Sequence, residues 1–525
     1  MVNVAVGGLQ AGDEAKGKVL DTIIGMLKAE MKALGEYVRM NAVRFQGGNN
    51  AGHTLIVSKS DCPTAREDMN KLALHQVPSA VVYSDVDLFQ ARGMVEDFEQ
   101  LQLENMAINH QLGVEIEDRL YVDSRLTMNL VYHRVLDFAM MIADQRRAGL
   151  PFEMSTTGRG IGPAYVSELS RDPLHPLLFL DTKDRFRGEL EIKAERAAAM
   201  IQKVYEISPD DFMEIMKTIS EKEEKAQRVL LDAGLINPER LDYTRFIDRG
   251  AFSEGRVAFD LDRILEETWA IGQHYKDRII NVSREIRSRM KSDEIILFEA
   301  AQGPVLDYRW GVKKSTGSTT CSHPLFSEIP LSTGVHLDEI TERIVVAKAY
   351  GTKVGDHYFV TEMQPGEATV TLDGETRDLV DYLKENEFGA TTGRQRMVGW
   401  FDLPESREYA ILGNPTGFAI AKLDLFSGAN IVKVCTHYVD TETGEKYYRL
   451  PDDPNIVGRC RPEYREFEGW QEDISQCTTM EELPQQAQDF LYFIRDELKK
   501  EVPQLELKYV SGTPNRGVIK VEDAA

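Results

Sequence analysis

The chain has 525 residues, 42% hydrophobic and 28% charged, with a net charge of −24 at pH 7. That length allows a large core with subsidiary domains. The acidic balance excludes a general nucleic-acid binder, which needs a basic footprint, and no apolar run reaches the ~20 residues that span a bilayer.

The apolar run at residues 2–6 predicts a short buried strand, and Val19, Leu20, Ile23, Ile24 and Leu27 recur at helical spacing. Between them stands Gly12-Asp13-Glu14-Ala15-Lys16-Gly17-Lys18, with the spacing of a Walker A loop. In such a loop backbone N–H groups cradle phosphate oxygens, lysine reaches the outer phosphates, and the helix start adds a positive dipole end. Val19 occupies the position of the Ser or Thr that usually holds magnesium, and Asp13 lies inside the loop. A carboxylate there must bind the metal or face the group being phosphorylated. More than nucleotide hydrolysis is expected.

A second strand-like run, residues 37–45, leads into Gln46-Gly47-Gly48-Asn49-Asn50-Ala51-Gly52-His53-Thr54. This tight turn offers backbone groups to a ligand, and His53 is a candidate proton donor or phosphate contact. Residues 155–165, Ser-Thr-Thr-Gly-Arg-Gly-Ile-Gly-Pro-Ala-Tyr, can bind a phosphate monoester or form a plain Gly-Pro turn with a surface arginine.

Residues 181–291 are rich in helix formers, with Ala199, Met200, Val204, Phe212, Ile215, Met216 and Ile219 in helical phase. They predict an inserted helical subdomain, on which the charge run 221–225 is a solvated face. Further strand-like runs follow at 295–298, 343–349, 417–423 and 429–437. Gly389-Ala390-Thr391-Thr392-Gly393-Arg394-Gln395-Arg396 suits a small dicarboxylate that takes bidentate guanidinium contacts. Lys422-Leu423-Asp424 resembles a guanine-reading element. The expected fold is α/β and P-loop-like, with a mainly parallel central sheet and helices on both faces. Residues 1–180 and 292–525 form the core, 181–291 the insertion, and ligands lie beyond the carboxyl ends of the strands. Residues 521–525 are expected to fray. The five cysteines lack paired metal spacing and the start lacks a basic leader region, so reduced thiols in a cytoplasm are expected.

In their joint order these segments resemble adenylosuccinate synthetase: GDEAKGKVLD (12–21), GGNNAGHT (47–54), TTGRGIGPAY (156–165), FEAAQGPVLD (298–307), KAYGTKVG (348–355), GATTGRQR (389–396), KLD (422–424) and GWQEDIS (469–475). The resemblance implies GTP-dependent ligation of L-aspartate to IMP through a 6-phosphoryl intermediate, with Mg2+. It implies Asp13 as base and magnesium ligand, His53 as acid, Gly52 as a carbonyl ligand to magnesium, and Lys16 and Gln302 in the catalytic set. Gly12, Glu14, Ala15, Lys16, Gly17, Lys18, Gly52, His53 and Thr54 would line the triphosphate. Asn50, Thr157, Gln302 and Thr316 would hold the monophosphate, joined by Arg171 from the neighbouring subunit of a homodimer. Thr391, Thr392, Arg394 and Arg396 would take the aspartate; Lys422, Asp424, Ser511 and Thr513 the guanine.

Departures from the family pattern are Ala11 for Trp, Ala15 for Gly, Lys353 for Arg, Thr513 for Gly, a shorter loop around Thr316, and added length at 59–74 and in the insertion. They leave open a paralogue making 2-aminoadenylosuccinate from GMP or dGMP, with ATP as an alternative donor. A nucleotide-binding regulator without turnover also stays open.

Overall fold

The computed structural model describes residues 2–149, 156–314, 319–387, 395–513 and 518–521. Its central sheet contains β1 (Val4–Gly8), β2 (Met40–Arg44), β3 (Val86–Gln90), β4 (Leu120–Asp123), β5 (Ile279–Ile280), β6 (Ile295–Glu299), β7 (Glu342–Lys348), β8 (Gly417–Ala421), β9 (Glu506–Val510) and β10 (Ile519–Lys520). The spatial order is β10-β9-β8-β7-β1-β6-β2-β3-β4-β5. Every pairing is parallel except β9 with β10.

A parallel sheet must be covered on both faces, and the alternation along β1 shows how. Val4 and Val6 enter one apolar cluster, while Ala5 enters the other. The run at 429–437 does form a strand, Ile431–Asp440, but it belongs to a smaller sheet. The added residues around 59–74 supply Met69–Leu74, which pairs antiparallel with His53–Ser58.

The stretch 181–291 is mostly helical, yet it contributes β5 to the central sheet. Phe212, Ile215, Met216 and Ile219 are buried as their spacing predicts, in the same cluster as Val4 and Val6. Ala199, Met200 and Val204 are exposed instead: the helix Lys183–Ala199 buries the face through Phe186, Leu190, Ala194, Ala197 and Ala198, and the π turn over Met200–Val204 that follows buries Ile201. Glu223, expected on a solvated face, is fully buried. No helix among the described residues is long and apolar enough to cross a membrane.

Candidate active site

Five of the predicted ligand segments converge because they follow the carboxyl ends of parallel strands: the phosphate loop after β1, the Gly47 turn after β2, Gln302 after β6, Lys422 after β8 and Ser511 after β9. Gly12, Asp13 and Ala15 all have positive φ (99°, 57° and 68°), which wraps the loop into the start of the helix Lys16–Leu34. Glu14 is wholly buried. Its Oε1 accepts from the N–H groups of Gly12 (2.7 Å) and Gln10 (3.2 Å), and its Oε2 from Lys16 Nζ (2.5 Å). Burial raises the Glu14 pKa, but Lys16 and the N–H groups outweigh it and hold the carboxyl ionised. Glu14 and Lys16 thus brace the loop. Gly303 packs against it so closely that a Cβ there would stand 2.0 Å from the Gln10 carbonyl oxygen.

His53 sits beneath the turn with its ring buried. Nδ1 meets Glu299, and Nε2 lies 3.0 Å from the Ala301 carbonyl oxygen. Burial first, then the neighbouring Arg44, push the imidazole pKa below its ordinary value, against the opposing pull of Glu299. Burial also works to raise Glu299; His53, Arg44 and Ser79 overcome it and bring the carboxyl to about 2. Two expected monophosphate residues meet directly: Gln302 Nε2 donates to Asn50 Oδ1 at 3.2 Å, and Ser322 donates to Gln302 Oε1 at 3.1 Å. Gly52, two residues after Asn50, is half-buried, and Thr54 lies on the hairpin opposite Ala73.

The centre of the site is an acid that the motifs do not contain. Glu387, fully buried, accepts from Tyr350 OH (2.7 Å), Lys422 Nζ (2.5 Å), Lys348 Nζ (3.3 Å) and Arg396. Burial raises its pKa, but Lys348, Lys422 and Arg396 together hold it well below the carboxylate range. Three cations on one carboxylate leave a surplus of positive charge. Burial and the neighbouring Lys422 and Arg396 draw Lys348 down to about 7, against Glu387. The second guanidinium nitrogen of Arg396 reaches Asp13 Oδ2 at 2.5 Å. Asp13 keeps about a third of its side chain exposed (35%), so it remains the reachable acid of the loop.

Lys18 points away from Glu14, toward the expected base-reading side. Its ammonium donates to Ser511 Oγ at 2.6 Å and to the Thr513 carbonyl. Burial lowers its pKa to about 8, with Asp424 opposing. Burial correspondingly raises Asp424, with Lys18 opposing. Lys422, expected beside guanine, is in the left-handed region (φ 60°) and bound to Glu387. Lys353, an arginine in the family pattern, is buried against Glu405 at 2.5 Å.

Thr157 is half-buried in a loop pressed on the helix Val131–Ala148, and Arg159 is buried rather than displayed to solvent. Arg171 is exposed, with φ 63°, just beyond the helix Ile161–Leu169. Thr316, Thr391, Thr392 and Arg394 lie outside the described residues.

A family model described as adenylosuccinate synthetase matches residues 5–242 and 240–518. The chain belongs to the adenylosuccinate synthetase family. It is a ligase that forms a C–N bond, as the motif order implies. It is 30% identical over 518 residues to the adenylosuccinate synthetase of Salinibacter ruber, covering 99% of this chain and 97% of the relative. It is 31% identical over 494 residues to that of Microcystis aeruginosa, covering 94% and 90%. A solved structure of the fully ligated adenylosuccinate synthetase from Plasmodium falciparum superposes with a TM-score of 0.75 at 25% identity, covering 99% of this chain and all (100%) of that one.

Within that family frame, Glu387 and Glu299 are the residues that motif reading passes over. A signal existed for both: Glu387 stands two residues before Gly389 of the GATTGRQR segment, and Glu299 lies inside FEAAQG.

Proposed function

We propose that the chain transfers the γ-phosphoryl group of GTP to the 6-oxygen of IMP and then joins L-aspartate at C6, giving adenylosuccinate, GDP and phosphate. One observation carries this reading. The acid of the phosphate loop and an arginine of the expected dicarboxylate clamp are in direct contact, Asp13 with Arg396. A nucleotide-binding regulator has no use for an acid within a phosphate cradle that also abuts a dicarboxylate site.

The chemistry needs such a site because the 6-oxygen of hypoxanthine is a poor leaving group. Asp13 takes the N1 proton, the 6-oxygen attacks the γ-phosphorus in line, and GDP departs. The aspartate amine then adds at C6, and the C6–O bond breaks to release phosphate. An ordinary carboxylate, with a pKa of about 4, is a weak base for a purine N1–H. Stabilisation of the 6-oxyanion must therefore supply most of the barrier reduction. His53 would donate toward that oxygen once Nε2 turns from the Ala301 carbonyl, and the loop would meet the phosphates with its backbone N–H groups while Lys16, buried on Glu14, holds it in shape.

Magnesium fits the donor set. Asp13 and the Gly52 carbonyl are hard oxygen donors suited to a cation that shares its shell with phosphates and water; bound there, it would neutralise charge on the transferred group. Gln302, Asn50 and Thr157 would hold IMP, with Arg396 and the neighbouring loop on aspartate, and Asp424, Ser511 and Thr513 on guanine. A homodimer is supported by Arg171, which is exposed just beyond Val166 and Leu169, themselves 58% and 77% exposed. A cytoplasmic setting accords with five free cysteines.

The test is a substrate matrix: IMP, GMP and dGMP against GTP and ATP, each with aspartate, and products identified by mass. Adenylosuccinate from IMP and GTP is expected. Product from GMP or dGMP alone would move the acceptor to the 2-amino purines. Phosphate release indifferent to aspartate and to every purine monophosphate would overturn the ligase reading.

A further inference from the structure

The inserted helix Pro209–Ala226 reaches the loop that contains Thr157. Two adjacent residues make the contact. Lys222 Nζ donates to the Thr157 carbonyl at 2.9 Å, and Glu223 accepts from Arg159 and, at 2.7 Å, from Arg134. Arg134 is fully buried and also donates through Nε to the Gly158 carbonyl at 3.4 Å. Asn129 Nδ2 donates to the Arg159 carbonyl at 2.7 Å. Three consecutive carbonyls, of Thr157, Gly158 and Arg159, are thereby each held by a side-chain donor.

That pattern matters for an anion. A backbone turn binds phosphate through its N–H face, and a carbonyl oxygen directed at the same point repels it. Anchoring the carbonyls on the protein side removes that repulsion; the Gly158 and Gly160 N–H groups are taken as well, by Thr156 Oγ1 (3.2 Å) and Asp137 Oδ2 (3.1 Å), so the loop meets the ligand with the Thr157 side chain. The turn cannot relax far. Gly158 and Gly160 have φ of 66° and 75°, and a Cβ at either would stand 2.7 Å from Phe138 or from the Arg134 amide nitrogen. Of the three carbonyl donors, Arg134 is oriented by Glu223 and Lys222 is its neighbour on the helix. Both arginines overcome the effect of burial and keep the Glu223 carboxyl ionised, at about 2.

We propose that Glu223 is a positioning residue for monophosphate recognition: it clamps Arg134 and Arg159 so that the loop at residues 156–160 keeps the shape that presents Thr157 to the nucleoside monophosphate. This gives the helical insertion a role in the reaction, and it rests on the reading of that loop as the monophosphate seat.

The experiment compares wild type with Glu223→Gln, Glu223→Asp and Lys222→Met, by calorimetric titration of IMP and by steady-state kinetics in each substrate. Glu223→Gln should raise the Kd and KM for IMP about tenfold or more, while the KM values for GTP and aspartate stay within about twofold. Glu223→Asp should recover most of the loss. Lys222→Met, which leaves the buried ion pairs intact, should weaken IMP about threefold and serves as the readout if Glu223→Gln does not fold. Equal rises in all three KM values, or unchanged IMP affinity in the folded variants, would overturn the inference. A wild-type chain that binds neither IMP nor GMP nor dGMP would overturn the functional reading itself, a separate result visible before any variant is made.

Discussion

The guanidinium of Arg396 lies 2.5 Å from the carboxylate of Asp13, across 383 residues of sequence. Its other terminal nitrogen is held by Glu387, which also takes Lys348, Tyr350 and Lys422. The loop acid is therefore oriented by a cation whose own position is set by a buried anion. The phosphate loop, the expected dicarboxylate clamp and the expected base-reading turn are mechanically joined at Glu387.

Replacing Glu387 by Gln should leave three cations without their common counter-charge. Breaking a buried ion pair by removing one partner costs about 3–5 kcal/mol, so a clear fall in melting temperature is expected. The freed Arg396 should raise the KM for aspartate about tenfold, with a smaller rise for IMP. An unchanged melting curve and unchanged aspartate dependence would remove Glu387 from this role.

Ala15 carries a side chain at φ 68°, as the N-cap of the helix Lys16–Leu34. A Cβ in that region costs roughly 1–2 kcal/mol, partly offset by the greater freedom that glycine has in the unfolded chain. Ala15→Gly should therefore stabilise the protein by about 0.5–1 kcal/mol, seen as a higher thermal midpoint. A lower midpoint would show that packing of the Ala15 methyl outweighs its backbone strain.

Lys18 titrates at about 8, chiefly because it is buried. Its charged form predominates below that pH and is lost as pH rises through it. Since kcat/KM reports groups of the free enzyme, kcat/KM for GTP should fall above pH ~8. Lys18→Arg keeps its charge throughout and should flatten that limb, whatever its absolute rate. A profile of identical shape in the variant would assign the limb to another group.

How far the sequence disclosed this arrangement can be read from individual elements. β1, β2, β6, β7 and β8 were legible as apolar runs, and the loops after them as glycine-rich segments, because both signals are local. β3 was not. Asp87 interrupts its apolar run, and only the fold reveals that Arg39 (2.7 Å) and Arg289 neutralise it. Glu223, Glu299 and Glu387 escaped for the same reason. In sequence a buried acid looks like a surface acid until its partners, brought from distant segments, are in place. Asp13 was legible because the phosphate-loop spacing that contains it is local, although its partner Arg396 is not.

The proposed chemistry requires Asp13 as the group that makes the 6-oxygen reactive. The direct measurement is adenylosuccinate formation by Asp13→Ala, alongside calorimetric binding of IMP to the same folded variant. Loss of about a thousandfold or more in kcat, with IMP affinity within about threefold of wild type, is the predicted result. Turnover near the wild-type rate would contradict it.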